Sequence, residues 1–335
     1  AKGMLVLPGG VDNHVHIEKD YLAVPTDDSV EKSTLAALYG GTTTVVDFSF
    51  LDSFYSRVKK FEGRSYTNFH FHIIANKYDE KLEKLREEGF TTVKFFTIPY
   101  GGLPPGNLND LLSILEHGFN VMVHAEDWDL ISSISKRLGE GEPYLHLISR
   151  PEESELSMTL KLSYLAKFGK GKLLIAHVSS PKTLELDGLM FEGTLHHLFL
   201  DSSYYYRNDA YLYVTSPPAR TRLIDFIDKF HIIATDHNWF NKATKEKHRK
   251  FPDLVPGIPS IELRVPLILT YFIKNNKSLW KALELLSINP GIFNNLKVGQ
   301  IKEGYNADIV IYDIKERWTV SLDKLHMADW TPFEG

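Results

Sequence analysis

The chain has 335 residues, 43% of them hydrophobic and 24% charged, with a formal net charge of −5 and no cysteine. That size and composition fit one large domain, or a main domain with a small satellite, built around a substantial core. The missing cysteines exclude disulfides, cysteine-held zinc and thiol catalysis and suit a reducing, cytoplasmic compartment, while the acidic balance offers no broad attraction for nucleic acid or an anionic membrane. There is no signal peptide and no apolar run long enough to span a bilayer. The one basic cluster, Lys245-Glu246-Lys247-His248-Arg249-Lys250, reads as a solvated loop or helix face. The chain starts almost directly in a strand, which leaves room for an upstream segment.

In chain order, the first strand-like run covers 4–17. A helix over 29–38 stops at Gly40-Gly41, and strands follow over 42–48 and 67–75. A charged amphipathic helix over 78–88 ends at Gly89, before a strand over 91–97. A helix over 108–117 ends at Gly118, and a strand occupies 120–124. The rest alternates less regularly: helix 153–168, strands 172–179 and 193–200, helix 222–229, strand 230–236. Most of these strands are near-continuous apolar runs, the pattern of strands buried on both faces. Eight strands alternating with helices predict an α/β fold, a (β/α)8 TIM-like barrel. Two later runs, 307–312 and 318–320, predict strands of a small β-domain beside it. The expected division is a barrel over 7–290, with 1–6 and 291–335 forming the side domain.

Asp12-Asn13-His14-Val15-His16 is the most informative stretch. Residues two apart in an extended chain share a face, so His14 and His16 can aim at one metal ion. An H-x-H pair alone is modest evidence. Other runs also end in a single polar residue: Lys94, His124, His177 and Asp236. Taken singly, each histidine could be a hydrogen-bonded core residue and Lys94 a snorkelling surface lysine. A barrel mouth, where barrel enzymes keep their chemistry, would gather all six. Neutral imidazoles suit zinc-like ions, and a strand-end carboxylate can hold metal and move a proton. Lys94 lies among Val93, Phe95 and Phe96, where desolvation favours a neutral amine able to add carbon dioxide and become a bridging carbamate.

The chain resembles the amidohydrolase superfamily, in particular its cyclic amidase branch of dihydropyrimidinases (hydantoinases), dihydroorotases and allantoinases. Leu7 to Glu18, Gly40 to Phe48, Val121-Met122-Val123-His124-Ala125-Glu126, Ile175-Ala176-His177-Val178-Ser179 and Ala234-Thr235-Asp236-His237 match its motifs. Asn306-Ala307-Asp308-Ile309-Val310 and Pro332-Phe333-Glu334-Gly335 match its closing β-domain. The resemblance implies a metal-dependent hydrolase barrel with a partly truncated β-sandwich. It implies two divalent ions, zinc by expectation: His14, His16, Lys94 and Asp236 around one, carbamylated Lys94, His124 and His177 around the other. A metal-activated hydroxide would attack a ring amide carbonyl, and Asp236 would pass the proton to the leaving ring nitrogen, a reversible ring opening. A homo-oligomer, dimer or tetramer, is implied as well. A mononuclear deaminase on the same barrel would lack Lys94. A non-catalytic dihydropyrimidinase-related scaffold would lack some of the six ligands.

The substrate features divide. Glu18 stands where dihydroorotases usually carry an arginine for the substrate carboxylate, and Ser216-Pro217-Pro218 resembles the serine with which hydantoinases bind the imide edge. Thr194-Leu195-His196-His197-Leu198 and Pro256-Gly257-Ile258-Pro259-Ser260-Ile261-Glu262 resemble dihydroorotases instead. The hydantoinase tyrosine falls at Pro99, with Tyr100 one residue later. The chain is also shorter than typical members. Ser216, Tyr100, Glu18 and Gly257 are therefore the expected substrate contacts. Glu18 near the pocket would favour an uncharged ring, dihydrouracil or hydantoin, over dihydroorotate. Lys19 would face away, and Arg220 or Arg222 would be the alternative cation.

Overall fold

The computed structural model describes residues 2–20 and 22–335. Among them, eight parallel strands lie in sequence order: β2 (Gly10–Asp12), β3 (Thr42–Phe50), β4 (Asn68–Ile74), β5 (Thr92–Phe96), β6 (Asn120–His124), β7 (Leu173–Ile175), β8 (Met190–Thr194) and β9 (Ile232–Ala234). The sheet comes round on itself at a short seam. Val15 bridges His237, the His16 N–H donates to the His237 carbonyl at 2.7 Å, and the Thr235 hydroxyl donates to Asp12 at 2.7 Å. The expected barrel is the observed fold.

The strands alternate between two cores, which explains their near-continuous apolar runs. Phe48, Ile74, Phe96, Met122, Leu174 and Ile232 point into the barrel. Val45, Phe71, Val93, Phe95, Val121, Val123, Leu173 and Ile175 point outward, into the core shared with the helices. In β5 this period places Lys94 inside, between Thr92 and Phe96. The helix signals at Ser29 and Gly40 also hold: Ser29 caps helix Val30–Tyr39 by accepting from the Lys32 N–H, and Gly41 follows with φ +79°.

Several expectations need correction. The first run is two strands: β1 (Leu5–Pro8) leaves the barrel and pairs antiparallel with β10 (Ile309–Tyr312), and only β2 enters it. The run at 193–200 is not the seventh strand. β8 ends at Thr194, and Leu195–Phe199 is helical, with Leu195 and Leu198 buried in the outer core. Residues 318–320 form no strand, so the small sheet has two strands among the described residues. Phe293, expected in the side domain, packs into the barrel interior from helix Asn289–Phe293. Lys245 is 1% exposed, so the basic cluster is not wholly solvated. No helix among the described residues is long and apolar enough to cross a membrane.

Candidate metal centre

At the C-terminal ends of the strands a cavity of about 510 Å³ opens, lined by His14, His16, Lys94, His124, His177 and Asp236 together. His14 and His16 lie just past β2 and His177 just past β7, Asp236 follows β9, and His124 ends β6. Lys94 differs from the expected position: it sits in the middle of β5 and reaches the cavity floor because period 2 turns it inward.

The donor atoms converge. His14 Nε2 lies 3.2 Å and His16 Nε2 3.1 Å from Asp236 Oδ1. Donor atoms of His14, His177 and Asp236 all lie within 4.8 Å of one another. The ring centroids of His124 and His177 are 4.6 Å apart, and those of His14 and His177 5.4 Å. His177 and Asp236 have φ of +37° and +50°. For residues other than glycine that left-handed conformation costs about 1–3 kcal/mol, a strain typical of functional sites.

Neighbouring groups orient the rings. Glu192, fully buried on β8, accepts from His14 Nδ1 at 2.7 Å and from the His177 N–H at 3.3 Å. This frees His14 Nε2 to face the cavity. Glu126 takes His124 Nε2 at 2.6 Å and is itself paired with Arg150. Carboxylate partners of this kind fix the tautomer of metal-binding imidazoles. Glu192 escaped the sequence reading because its strand was placed a few residues too late. An acidic residue inside the run Met190-Phe191-Glu192-Gly193-Thr194 was the available signal, since buried carboxylates persist only with partners.

Burial pushes the pKa of His16 and of His177 well below the ordinary histidine value, so both are neutral near pH 7. Burial also opposes the charge on Asp236, but His14 and the hydrogen bonds from His14 and His16 outweigh it and hold the carboxyl well below its usual range. Burial lowers Lys94 to about 8 against the pull of Glu192 and Asp236. The buried Nδ1 atoms of His16 and His177 have no hydrogen-bond partner among the described residues. Neutral imidazoles with idle nitrogens, an ionised carboxylate and an amine with a depressed pKa are a donor set that fits divalent ions.

The expected substrate contacts separate. Tyr100, Ser216 and Gly257 line the cavity. Tyr100 stacks on Phe96 at 3.9 Å, and Ser216 Oγ lies 3.2 Å from His146 Nε2. The Gly257 carbonyl already accepts from Lys245 Nζ at 3.0 Å and its N–H donates to Val214, so this residue shapes the wall. Glu18 does not line the cavity. Its carboxylate turns outward, accepting from the Val30 N–H at 2.9 Å and pairing with Arg64 at 2.8 Å and Lys60 at 3.2 Å. Lys19, expected to face away, lines the cavity instead. Arg220 bonds Ser179 and Arg222 pairs with Asp201. The expected repulsion of a charged ring by Glu18 therefore has no basis in the geometry.

The Amidohydrolase family model matches residues 5–331. The D-hydantoinase of Geobacillus stearothermophilus is 30% identical, aligned over the whole chain and 80% of the relative. A dihydroorotase of Pyrococcus furiosus is also 30% identical, over the whole chain and 78% of the relative. Among solved structures, the D-hydantoinase (dihydropyrimidinase) of a Thermus species superimposes with a TM-score of 0.91 at 28% identity, covering 99% of this chain and 81% of that one. The dihydropyrimidinase of Brevibacillus agri gives a TM-score of 0.92 at 27% identity, with the same two coverages. Its family is generally metal-dependent, and the His14, His177 and Asp236 cluster offers a place for metal. With its barrel and its cavity lined by His14, His16, Lys94, His124, His177 and Asp236, this chain belongs to the amidohydrolase family.

Proposed function

We propose that this protein catalyses metal-dependent, reversible ring opening of a cyclic amide or ureide, a reading supported by its similarity to proteins named D-hydantoinase and dihydroorotase. The observation that carries the reading is the meeting of His14, His16, Lys94, His124, His177 and Asp236 in one cavity. His14, His16 and Asp236 would hold one divalent ion and His124 and His177 a second, with Lys94 joining them as a carbamate. Zinc suits this mixture of imidazole and carboxylate. When bound, the ions supply Lewis acidity for the ring carbonyl and lower the pKa of water.

The protein's own groups do the rest. Glu192 and Glu126 keep the His14 and His124 rings turned as they are. Asp236 Oδ1 is engaged by His14 and His16, which leaves Oδ2 to take the proton of the attacking water and deliver it to the leaving ring nitrogen. Ser216 and Tyr100 stand on the wall to position the ring. Lys94, lowered to about 8 by burial, has a neutral fraction at neutral pH for adding carbon dioxide. The test is a screen of dihydrouracil, hydantoin, dihydroorotate and allantoin with zinc-loaded protein and with chelated protein. Opening of at least one ring, abolished by the chelator, is the expected result. Failure to open any of them, or opening that survives chelation, overturns the reading.

A further inference from the structure

The segment after His16 splits its two charged side chains, Glu18 outward and Lys19 inward. Lys19 is 2% exposed and lines the cavity. Its backbone is held on both sides: its N–H donates to Thr26 Oγ1 at 2.7 Å, and its carbonyl accepts from the Thr26 N–H at 3.1 Å. The outward anchoring of Glu18 to Arg64 and Lys60 fixes the neighbouring residue as well. The inward direction of Lys19 is thus set by the fold.

Its charge has no counterpart close by. Among the described residues Lys19 Nζ makes no hydrogen bond or ion pair, and it stands 6.0 Å from the centroid of the Tyr100 ring, the outer limit of a cation–π contact. Of the other cations on the wall, Arg150 is paired with Glu126, and Lys94 lies among the candidate metal ligands, where the reading above gives it another role. Burial lowers Lys19 to about 8, with Asp236, Asp47 and Asp28 opposing from a distance, so it is mainly an ammonium at neutral pH. Leu22, Ala23 and Val24 share its part of the wall, and this apolar surround strengthens any ion contact made there. A buried ammonium without a partner is costly, and an anion arriving in the cavity reverses that cost.

Resting on the ring-opening reading above, we propose that Lys19 is a specificity-determining residue that binds a carboxylate carried by the substrate ring, so that the preferred substrate is an anionic cyclic amide or ureide. The test uses zinc-loaded wild type, Lys19→Met and Lys19→Arg. It compares kcat/KM for dihydroorotate and dihydrouracil, rings that differ by one carboxylate. Calorimetric binding of orotate and uracil provides a readout independent of turnover. Wild type should favour dihydroorotate by tenfold or more. Lys19→Met should lower the dihydroorotate-to-dihydrouracil ratio about 10- to 100-fold, the range of a charge-assisted hydrogen bond. Orotate affinity should fall in parallel, and Lys19→Arg should keep most of both. If Lys19→Met does not fold, Lys19→Gln supplies the same ratio. A ratio that does not move, or a wild type that prefers dihydrouracil, overturns the assignment while ring opening stands. Lys19-dependent orotate binding with neither ring opened upholds the anion site and overturns the catalytic reading. With neither opening nor orotate binding, both fall.

Discussion

Asp236 combines a strained backbone, two imidazole contacts on Oδ1 and a carboxyl kept ionised despite burial. If its main task is proton transfer, Asp236→Asn should retain much of the metal and lose about 10²–10⁴-fold in kcat, the usual scale of acid–base catalysis. Metal analysis alongside single-turnover rates checks this, and a near-normal rate would place the base elsewhere. Lys245 offers a separate test, outside the candidate metal centre. Its ammonium is buried, donates to the Val255 and Gly257 carbonyls at 2.8 and 3.0 Å, and is lowered by burial to about 7. In the unfolded chain it titrates near the ordinary lysine value, so between about pH 7 and 10 the unfolded state binds the extra proton. Wild-type stability relative to Lys245→Met should therefore rise with pH across that window, by up to about 1.4 kcal/mol per pH unit. Urea unfolding of both proteins at pH 6.5 and 9.5 reads the difference, and equal differences at the two pH values would contradict it. At this scale the candidate ligands were legible in the sequence, because a lone polar residue in an apolar run is conspicuous. It hid the directions of Glu18 and Lys19, which depend on Arg64, Lys60 and Thr26 arriving from elsewhere in the chain.

The strands show why some elements were legible and others were not. β3 to β6 stand out as apolar-rich runs, and both faces are buried. β8 is as long as β5 and β6, but it contains Glu192 and Gly193 and is followed directly by a helix with buried Leu195 and Leu198. An apolar run shared between a strand end and a helix start has no boundary in hydropathy alone. The seam between β9, β2 and β3 depends on a residue that no motif singled out. Arg264, fully buried, donates to the carbonyls of Ile233 at 2.9 Å and Leu286 at 3.1 Å and to Thr42 Oγ1 at 3.0 Å, with Asp12 at 3.7 Å. Among the described residues, Arg264→Met would leave the buried Asp12 carboxylate with only the Thr235 and His14 donors and no cation, and losing one partner of a buried pair costs about 3–5 kcal/mol. A large drop in the urea midpoint is expected, and a drop worth under about 1 kcal/mol would show that the seam is held otherwise.

For the whole molecule, closing the barrel is what turns six separated sequence positions into one centre. The sequence carried the fold class through alternation and the candidate site through single polar residues in or just after apolar runs, and both depend on the same geometry. The edge of the small sheet was less legible, because Leu5–Pro8 and Ile309–Tyr312 are four-residue strands whose pairing spans nearly the entire chain. In the proposed reading Lys94, inside β5, completes a two-metal centre. Its most direct test is the metal content of purified Lys94→Ala beside wild type, with turnover measured with and without a high concentration of a short carboxylate. The expected result is two zinc ions per wild-type chain, loss of most metal and activity in the variant, and partial recovery when the carboxylate fills the gap. Full metal occupancy and normal turnover in Lys94→Ala would contradict the account.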